Sequence, residues 1–368
     1  MKINKSYHYI QVDNRYVCVQ QSFWSLFQLF YLKDQSFHLG GLGFTKRKRR
    51  HALIALMLAK LGSQSKRSEL VLPLFGQLGL DVHQGYRIFD FRQGTVSKVL
   101  TPDVSQKNVD YEIESVCAAG RLSFAPQVYD SNLTERWYQE ELISGSSGYL
   151  LPDADPTRLL EIYAQQIVPF ICEMLLLHPP KQKKLASHLD TITAYLEDER
   201  FSRLSLNSNK LEKIDDFVKM GVNQLRQDGH RLVNLVFSHG DFSFVNVLNT
   251  AQGLRIIDWE SVAWRNPLND FYNYFFTELY YKRVDSTLVT EIPQAISILQ
   301  TALQDDAPEL AQDVSFSANL YRKLYYVERI KMLLERELND KRLDVIVRSI
   351  DIFNQFEEAW DNSHSRVA

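Results

Sequence analysis

The stretch Ser238-His239-Gly240-Asp241-Phe242-Ser243-Phe244-Val245-Asn246-Val247-Leu248, closely followed by Leu254-Arg255-Ile256-Ile257-Asp258-Trp259-Glu260, decides the fold. Upstream of it, Arg231 to Phe237 is apolar and β-branched, and reads as a buried strand delivering His239 and Asp241 to a loop. Val247-Leu248 runs into Asn249-Thr250-Ala251-Gln252-Gly253, a turn by composition, and Leu254 to Ile257 returns as a second strand. A hairpin of this kind brings Asn246, at its entry, back beside Asp258, at its exit. Both side chains offer hard oxygen donors, the kind that Mg²⁺ takes when it bridges the phosphates of a nucleotide. Asp241, on the loop before them, is placed to accept a proton from a hydroxyl and orient it for in-line attack. Any one of the three alone reads equally well as a turn or cap residue. All three at this spacing between apolar strands point to a site.

The pattern His239-x-Asp241-x-x-x-x-Asn246, then Ile257-Asp258-x-Glu260, resembles the catalytic and metal-binding segments of the aminoglycoside phosphotransferase and choline kinase family, small-molecule relatives of the protein kinases. Ile-Asp-Trp-Glu stands where protein kinases carry Asp-Phe-Gly, as is typical of the small-molecule branch. Ser243-Phe244-Val245 departs from the His-Pro-Gly or similar that the family often carries after its catalytic Asp. The resemblance implies an α+β, bilobal protein-kinase-like fold, with a small antiparallel-sheet N-lobe and a mostly helical C-lobe. It implies ATP and Mg²⁺, with Asp241 as catalytic base and Asn246 and Asp258 as metal ligands. His239 and Asp270 would be structural supports, Asp270 bracing the catalytic loop.

The 368 residues allow one large or two modest domains with a sizeable core. A formal charge of -3 implies no global field for nucleic acid or membrane. Cys18, Cys117 and Cys172 have neither paired nor metal-ligand spacing, which fits a reducing compartment. Met1 to Ser6 lacks the apolar core of a signal peptide and no apolar run spans a bilayer, so the expectation is a cytoplasmic protein.

Three segments are expected: an N-terminal extension, 1–67, packed on or near the N-lobe; the N-lobe, 68–145; and the C-lobe, 146–368, carrying the catalytic and metal-binding segments. The extension holds the aromatic stretch Phe23 to Leu32, a glycine turn ending at Gly43, the basic run Lys46 to Arg50 and a helical segment from Ala52 to Leu61. The basic run reads either as a weak contact with an anionic surface or as a solvated helix start, the second being favoured.

In the N-lobe, Glu69–Leu74, Tyr86–Phe91 and Thr95–Leu100 read as strands. The phosphate-covering loop should precede Tyr86, where Gly76, Gly79 and Gly85 are available without a clean Gly-x-Gly-x-x-Gly. By the resemblance, Lys98 grips the nucleotide phosphates, although a lysine there also reads as an ordinary solvent-facing strand residue. A carboxylate from the helix Gln106–Ala119 should hold it, and Glu112, bordering the stripe Val109, Ile113, Val116, is favoured over Glu114. Trp137 to Gly145 resembles the strand and linker between lobes, where the backbone of Glu141, Leu142 and Ile143 would meet adenine.

Helices are expected at Thr157–Leu177, Lys184–Leu196, Lys210–Gln227, from Asn266 through Tyr281, and at Pro293–Leu303, Phe316–Glu337 and Leu343–Trp360. The aromatics Trp259, Trp264, Tyr272, Tyr274, Phe275, Phe276, Tyr280 and Tyr281 read either as core, the favoured reading, or as a cage for a quaternary ammonium. The acceptor is therefore left open among a sugar, an aminoglycoside and a choline- or ethanolamine-like amino alcohol. The other class of function is a catalytically idle kinase-fold binding protein. Phosphorylation of a protein is disfavoured, because the segment between Asp258 and Asp270 is too short to bind a peptide.

Overall fold

The computed structural model describes residues 6–12, 15–22, 70–147, 160–196, 208–282, 287–335 and 338–365. The aromatic stretch from Phe23, the basic run Lys46 to Arg50 and the helix expected from Ala52 lie outside these residues. In chain order the strands and helices are β1 (Tyr7–Val12), β2 (Arg15–Cys18), β3 (Leu70–Leu72), β4 (Leu78–Val82), β5 (Gly85–Asp90), β6 (Thr95–Leu100), α1 (Gln106–Ala119), β7 (Val128–Asn132), β8 (Trp137–Glu141) and β9 (Ser146–Ser147). Then come α2 (Val168–Leu176), β10 (Lys181–Lys184), α3 (Leu185–Leu196), α4 (Ser208–Arg226), β11 (Leu232–Ser238), β12 (Val247–Thr250), β13 (Gly253–Ile256) and β14 (Ala263–Arg265). The chain closes with α5 (Asn269–Lys282), α6 (Thr287–Leu303), α7 (Pro308–Phe316), α8 (Ala318–Leu334) and α9 (Asp340–Ser365).

Two compact units form: Met1–Ser147 with Val247–Glu260, and Gly148–Asn246 with Ser261–Ala368. Asp258 thus belongs to the sheet unit, and Asp241 and Asn246 to the helical unit.

The sheet unit is built on an antiparallel sheet of order β3-β1-β2-β4-β5-β6-β8-β7, in which β1 and β2 are interior strands. Strand alternation gives it two unlike faces. One buries Tyr9, Cys18, Leu72, Ile88, Val99 and Trp137 in a single apolar cluster. The other carries Arg87 and Lys98, which are directly opposed, with Tyr138 opposite Lys98 and Glu140 two residues further along β8.

Helix α1 spans the expected residues. Ser105 caps it by accepting from the Asn108 N–H at 3.3 Å, and Val109, Glu112, Ile113 and Val116 are buried along one stripe.

Before Tyr86 the chain forms the hairpin β4–β5, with its glycines outside the turn itself. Leu78–Val82 is a strand, so the glycines there serve packing rather than a glycine-rich loop, and His83-Gln84 is the turn. A Cβ on Gly85 would stand 2.2 Å from the Val99 carbonyl oxygen, and one on Gly76 would stand 2.4 Å from Ile88 Cγ2. Gln84, at φ +62°, takes up the positive φ of the turn.

In the helical unit, β11 is the middle strand of a sheet of order β10-β11-β14, which explains its nearly continuous apolar run. Edge strand β10 is Lys-Gln-Lys-Lys, a composition that edges tolerate. A π-helical turn, Tyr163–Ile167, precedes α2, whose Pro169 has no N–H to donate back into the helix. Tyr272, Tyr274, Phe275 and Phe276 are buried on α5, and their rings meet Tyr163, Tyr325 and Phe356, so this part of the aromatic run is core. The described cysteines are free thiols, and no helix among the described residues is long and apolar enough to cross a membrane.

Candidate active site

The polar face of the sheet unit holds one half of the expected chemistry. Two cations placed opposite each other on one face repel, so Arg87 and Lys98 need carboxylates between and around them. Glu260 supplies this for both, with Oε2 2.7 Å from Lys98 Nζ and 3.6 Å from Arg87. Lys98 Nζ is also 2.8 Å from Glu112, and its side chain is only 2% exposed. Glu114, the competitor on α1, faces solvent. Arg87 is ion-paired with Asp258, whose backbone sits at φ +71°, a conformation that is strained for a residue with a Cβ.

With Glu140, four carboxylates face two cations on this side of the sheet. Burial pushes the Glu140 carboxyl up to about 7, with Asp258 and Glu260 adding to the effect while Arg87 and Lys98 oppose it. Burial likewise raises Glu112, and the nearby Lys98 holds that rise back. At the end of β8, Glu141 accepts from Arg255 Nη2 at 2.7 Å, and the same guanidinium donates to the Ala125 and Phe124 carbonyls. The Glu141 N–H is taken by the Gln127 carbonyl and the Leu142 N–H by the Gly94 carbonyl.

The helical unit holds the other half. Past Ser238 the chain turns at Gly240, φ +81°, where a Cβ would stand 2.4 Å from Arg265 Nη1 and 2.6 Å from the Ser261 carbonyl oxygen. Buried Asp270 braces this turn, accepting from the His239 N–H at 2.7 Å and the Gly240 N–H at 2.8 Å. His239 Nδ1 accepts from the Asp241 N–H at 3.2 Å, which puts its own ring proton on Nε2. Asn246 Nδ2 donates to the Asp241 carbonyl at 2.8 Å. That turns its Oδ1 the other way, and no donor reaches Oδ1 among the described residues. Asn273 fixes the loop further on by donating to the Phe242 carbonyl at 2.8 Å.

Several contributors were not legible as site residues. Arg329 Nη1 lies 3.1 Å from the Asp241 carboxylate and 3.2 Å from the Gly240 carbonyl oxygen. Glu328, buried, accepts from Asn266 and Asn269 and pairs with His188 at 2.7 Å, fixing the chain into α5 just ahead of Asp270. Arg329 lies 88 residues beyond Asp241, and Glu328 lies 62 and 59 residues beyond Asn266 and Asn269, on a helix whose apolar pattern dominates. Arg87 reads in sequence as one more residue of a strand. Its register opposite Lys98 was the available signal.

No protein-family model matches the sequence, and no curated protein matches it. Among solved structures, a choline kinase from Cryptosporidium parvum Iowa II superposes with a TM-score of 0.52, at 13% identity, over 78% of this chain and 88% of that one. The chain has a choline-kinase-type fold. At that identity the likeness concerns architecture. Other structural neighbours include a Plasmodium vivax ethanolamine kinase, with a TM-score of 0.45 and 10% identity over 86% of this chain and 92% of that one. A thermostable mutant of aminoglycoside phosphotransferase APH(4)-Ia, in ternary complex with ADP and hygromycin B, has a TM-score of 0.47 and 14% identity over 76% of this chain and 92% of that one.

Proposed function

We propose that the protein transfers a phosphoryl group from ATP, with Mg²⁺, to a hydroxyl of a small molecule. The observation that carries this is the buried Lys98, clasped between Glu112 of α1 and Glu260, on the same sheet face as Asp258. A buried lysine is costly without partners, and one held by a helix carboxylate presents its ammonium at a fixed point suited to phosphate oxygens.

Hard oxygen donors suit magnesium. Asp258 and Asn246 Oδ1 are hard oxygens, and the polar sheet face carries more carboxylates than cations. Among the described residues no group of three or more His, Cys, Asp or Glu could hold a metal by itself. Mg²⁺ here would therefore complete its shell with phosphate oxygens and water, as it commonly does. When bound, the magnesium nucleotide supplies the transferable phosphoryl group and neutralises its charge. Asp241, oriented by Arg329 and by the braced turn, accepts the acceptor's hydroxyl proton. The hydroxyl oxygen then forms the new bond to phosphorus as the bond to the ADP oxygen breaks. For the adenine edge, the Glu141 and Leu142 N–H groups are already engaged, and Ile143 is the backbone donor of the three that remains.

A second function, a catalytically idle binding protein of this fold, is favoured by one observation, the ion pair of Arg87 with Asp258. It sets a cation on the carboxylate that a metal would need. Thermal-shift titration with ATP, with and without Mg²⁺, separates the two. A Mg²⁺-dependent rise, about 2.7 kcal/mol at a hundred times the dissociation constant, supports the kinase. No rise with any nucleotide supports the idle fold. With an acceptor in hand, Asp241→Ala should lower kcat by several orders of magnitude and leave ATP affinity nearly unchanged.

A further inference from the structure

Arg329 uses only one edge of its guanidinium on the catalytic loop. Nη1 holds Asp241 and the Gly240 carbonyl and also lies 3.7 Å from Met332 Sδ. Nε and Nη2 have no protein acceptor among the described residues. The same side chain lines a cavity of about 110 Å³ within the helical unit. Its described lining is an apolar wall of Phe276, Tyr325, Val345, Ile352 and Phe353 with the hydroxyls of Thr277 and Ser349, and no carboxylate is among those described residues. Among the described residues its one charged lining group is thus an arginine with a two-nitrogen edge to spare, the geometry that grips carboxylate or phosphate oxygens bidentately.

The cavity is small. A dry cavity of about 150 Å³ accommodates benzene, so this one takes an end group of a few heavy atoms. Among the described lining residues a quaternary ammonium or aminoglycoside amine would meet an arginine and no carboxylate, so the charge there favours an anion.

Resting on the kinase reading above, we infer that this cavity is the acceptor pocket, and that it binds the oxyanion end, carboxylate or phosphate, of a small hydroxyl compound. Arg329 anchors that end and holds Asp241 with its other edge, so that acceptor binding and base orientation share one side chain.

The test uses the full chain, Mg²⁺ and ATP, with D-glycerate, glycerol 3-phosphate, glycerol, choline and ethanolamine as acceptors and as thermal-shift probes. Expected is saturable transfer to D-glycerate or glycerol 3-phosphate, and which of the two is used tells carboxylate from phosphate. Arg329→Gln should raise KM for that acceptor at least tenfold without changing KM for ATP, and Arg329→Lys should recover part of the loss. Far-UV circular dichroism checks that both variants fold. Preference for choline, ethanolamine or glycerol overturns the oxyanion pocket and leaves the kinase reading standing. Mg²⁺-dependent ATP binding without Arg329-dependent binding of either oxyanion probe also overturns it. Absence of nucleotide binding overturns the kinase reading itself.

Discussion

Glu140 makes the electrostatics of the polar sheet face measurable without a substrate. Its carboxyl is held up near 7 in the folded chain, against an ordinary 4.5 when unfolded. A carboxyl with a raised folded value binds its proton more tightly folded than unfolded, so its contribution to stability is fully present below pH 4.5 and is lost as pH rises towards 7. At about 1.4 kcal/mol per unit, the whole loss is about 3 kcal/mol, of which about 2 to 3 kcal/mol falls between pH 5 and pH 8. Glu140→Gln removes the titration and keeps the shape. Urea unfolding of both proteins at the two pH values, followed on a probe within the sheet unit, gives the difference directly. The variant should gain about 2 to 3 kcal/mol on the wild type between pH 5 and pH 8, and groups common to both cancel in that difference. Equal pH dependence in the two proteins would refute the view of Glu140 as a crowded, desolvated carboxylate beside Asp258 and Glu260.

Lys98→Met should destabilise the sheet unit by about 3–5 kcal/mol, because it leaves Glu112 and Glu260 without their shared cation in a buried setting. Adding Glu112→Gln should recover part of that, and urea unfolding of the single and double variants checks it. Asp270→Ala should cost about 2–6 kcal/mol by stranding the His239 and Gly240 N–H groups, with Asp270→Asn falling between it and the wild type. Amide hydrogen exchange at those two N–H groups should speed up in the same order.

The parts of the fold that local chemistry dictates could be read directly. The run into Ser238, the hairpin around Asn249 to Gly253 and the helix from Gln106 follow from period and turn composition, whereas helix phase alone separates Glu112 from Glu114 poorly and the fold decides between them. What escaped was set by partners distant in sequence. The lysine-rich β10 is a strand only because β11 offers it an edge. Gly76 and Gly85 look like loop glycines until neighbouring strands are seen pressing on their missing side chains. Arg87 and Arg329 acquire their roles from carboxylates more than eighty residues away, and no local pattern marks either one. Tyr272, Tyr274, Phe275 and Phe276 on α5 could be read as core or cage, and their burial among Tyr163, Tyr325 and Phe356 makes these four core.

The return of Val247–Glu260 to the sheet unit bears on how the chain is made. A ribosome that has released everything through Ser147 still lacks the hairpin carrying Arg255, the clamp on Glu141, and two of the four carboxylates around Arg87 and Lys98, Asp258 and Glu260. More than a hundred further residues must emerge first, a wait of roughly 5–20 s at ordinary elongation rates. During that interval Arg87 and Lys98 have only Glu112 and Glu140 as carboxylate neighbours on that face, and an early-emerging chaperone or the growing helical unit has time to engage it. Synonymous codons between Ser147 and Val247 therefore set the exposure time of that half-finished surface.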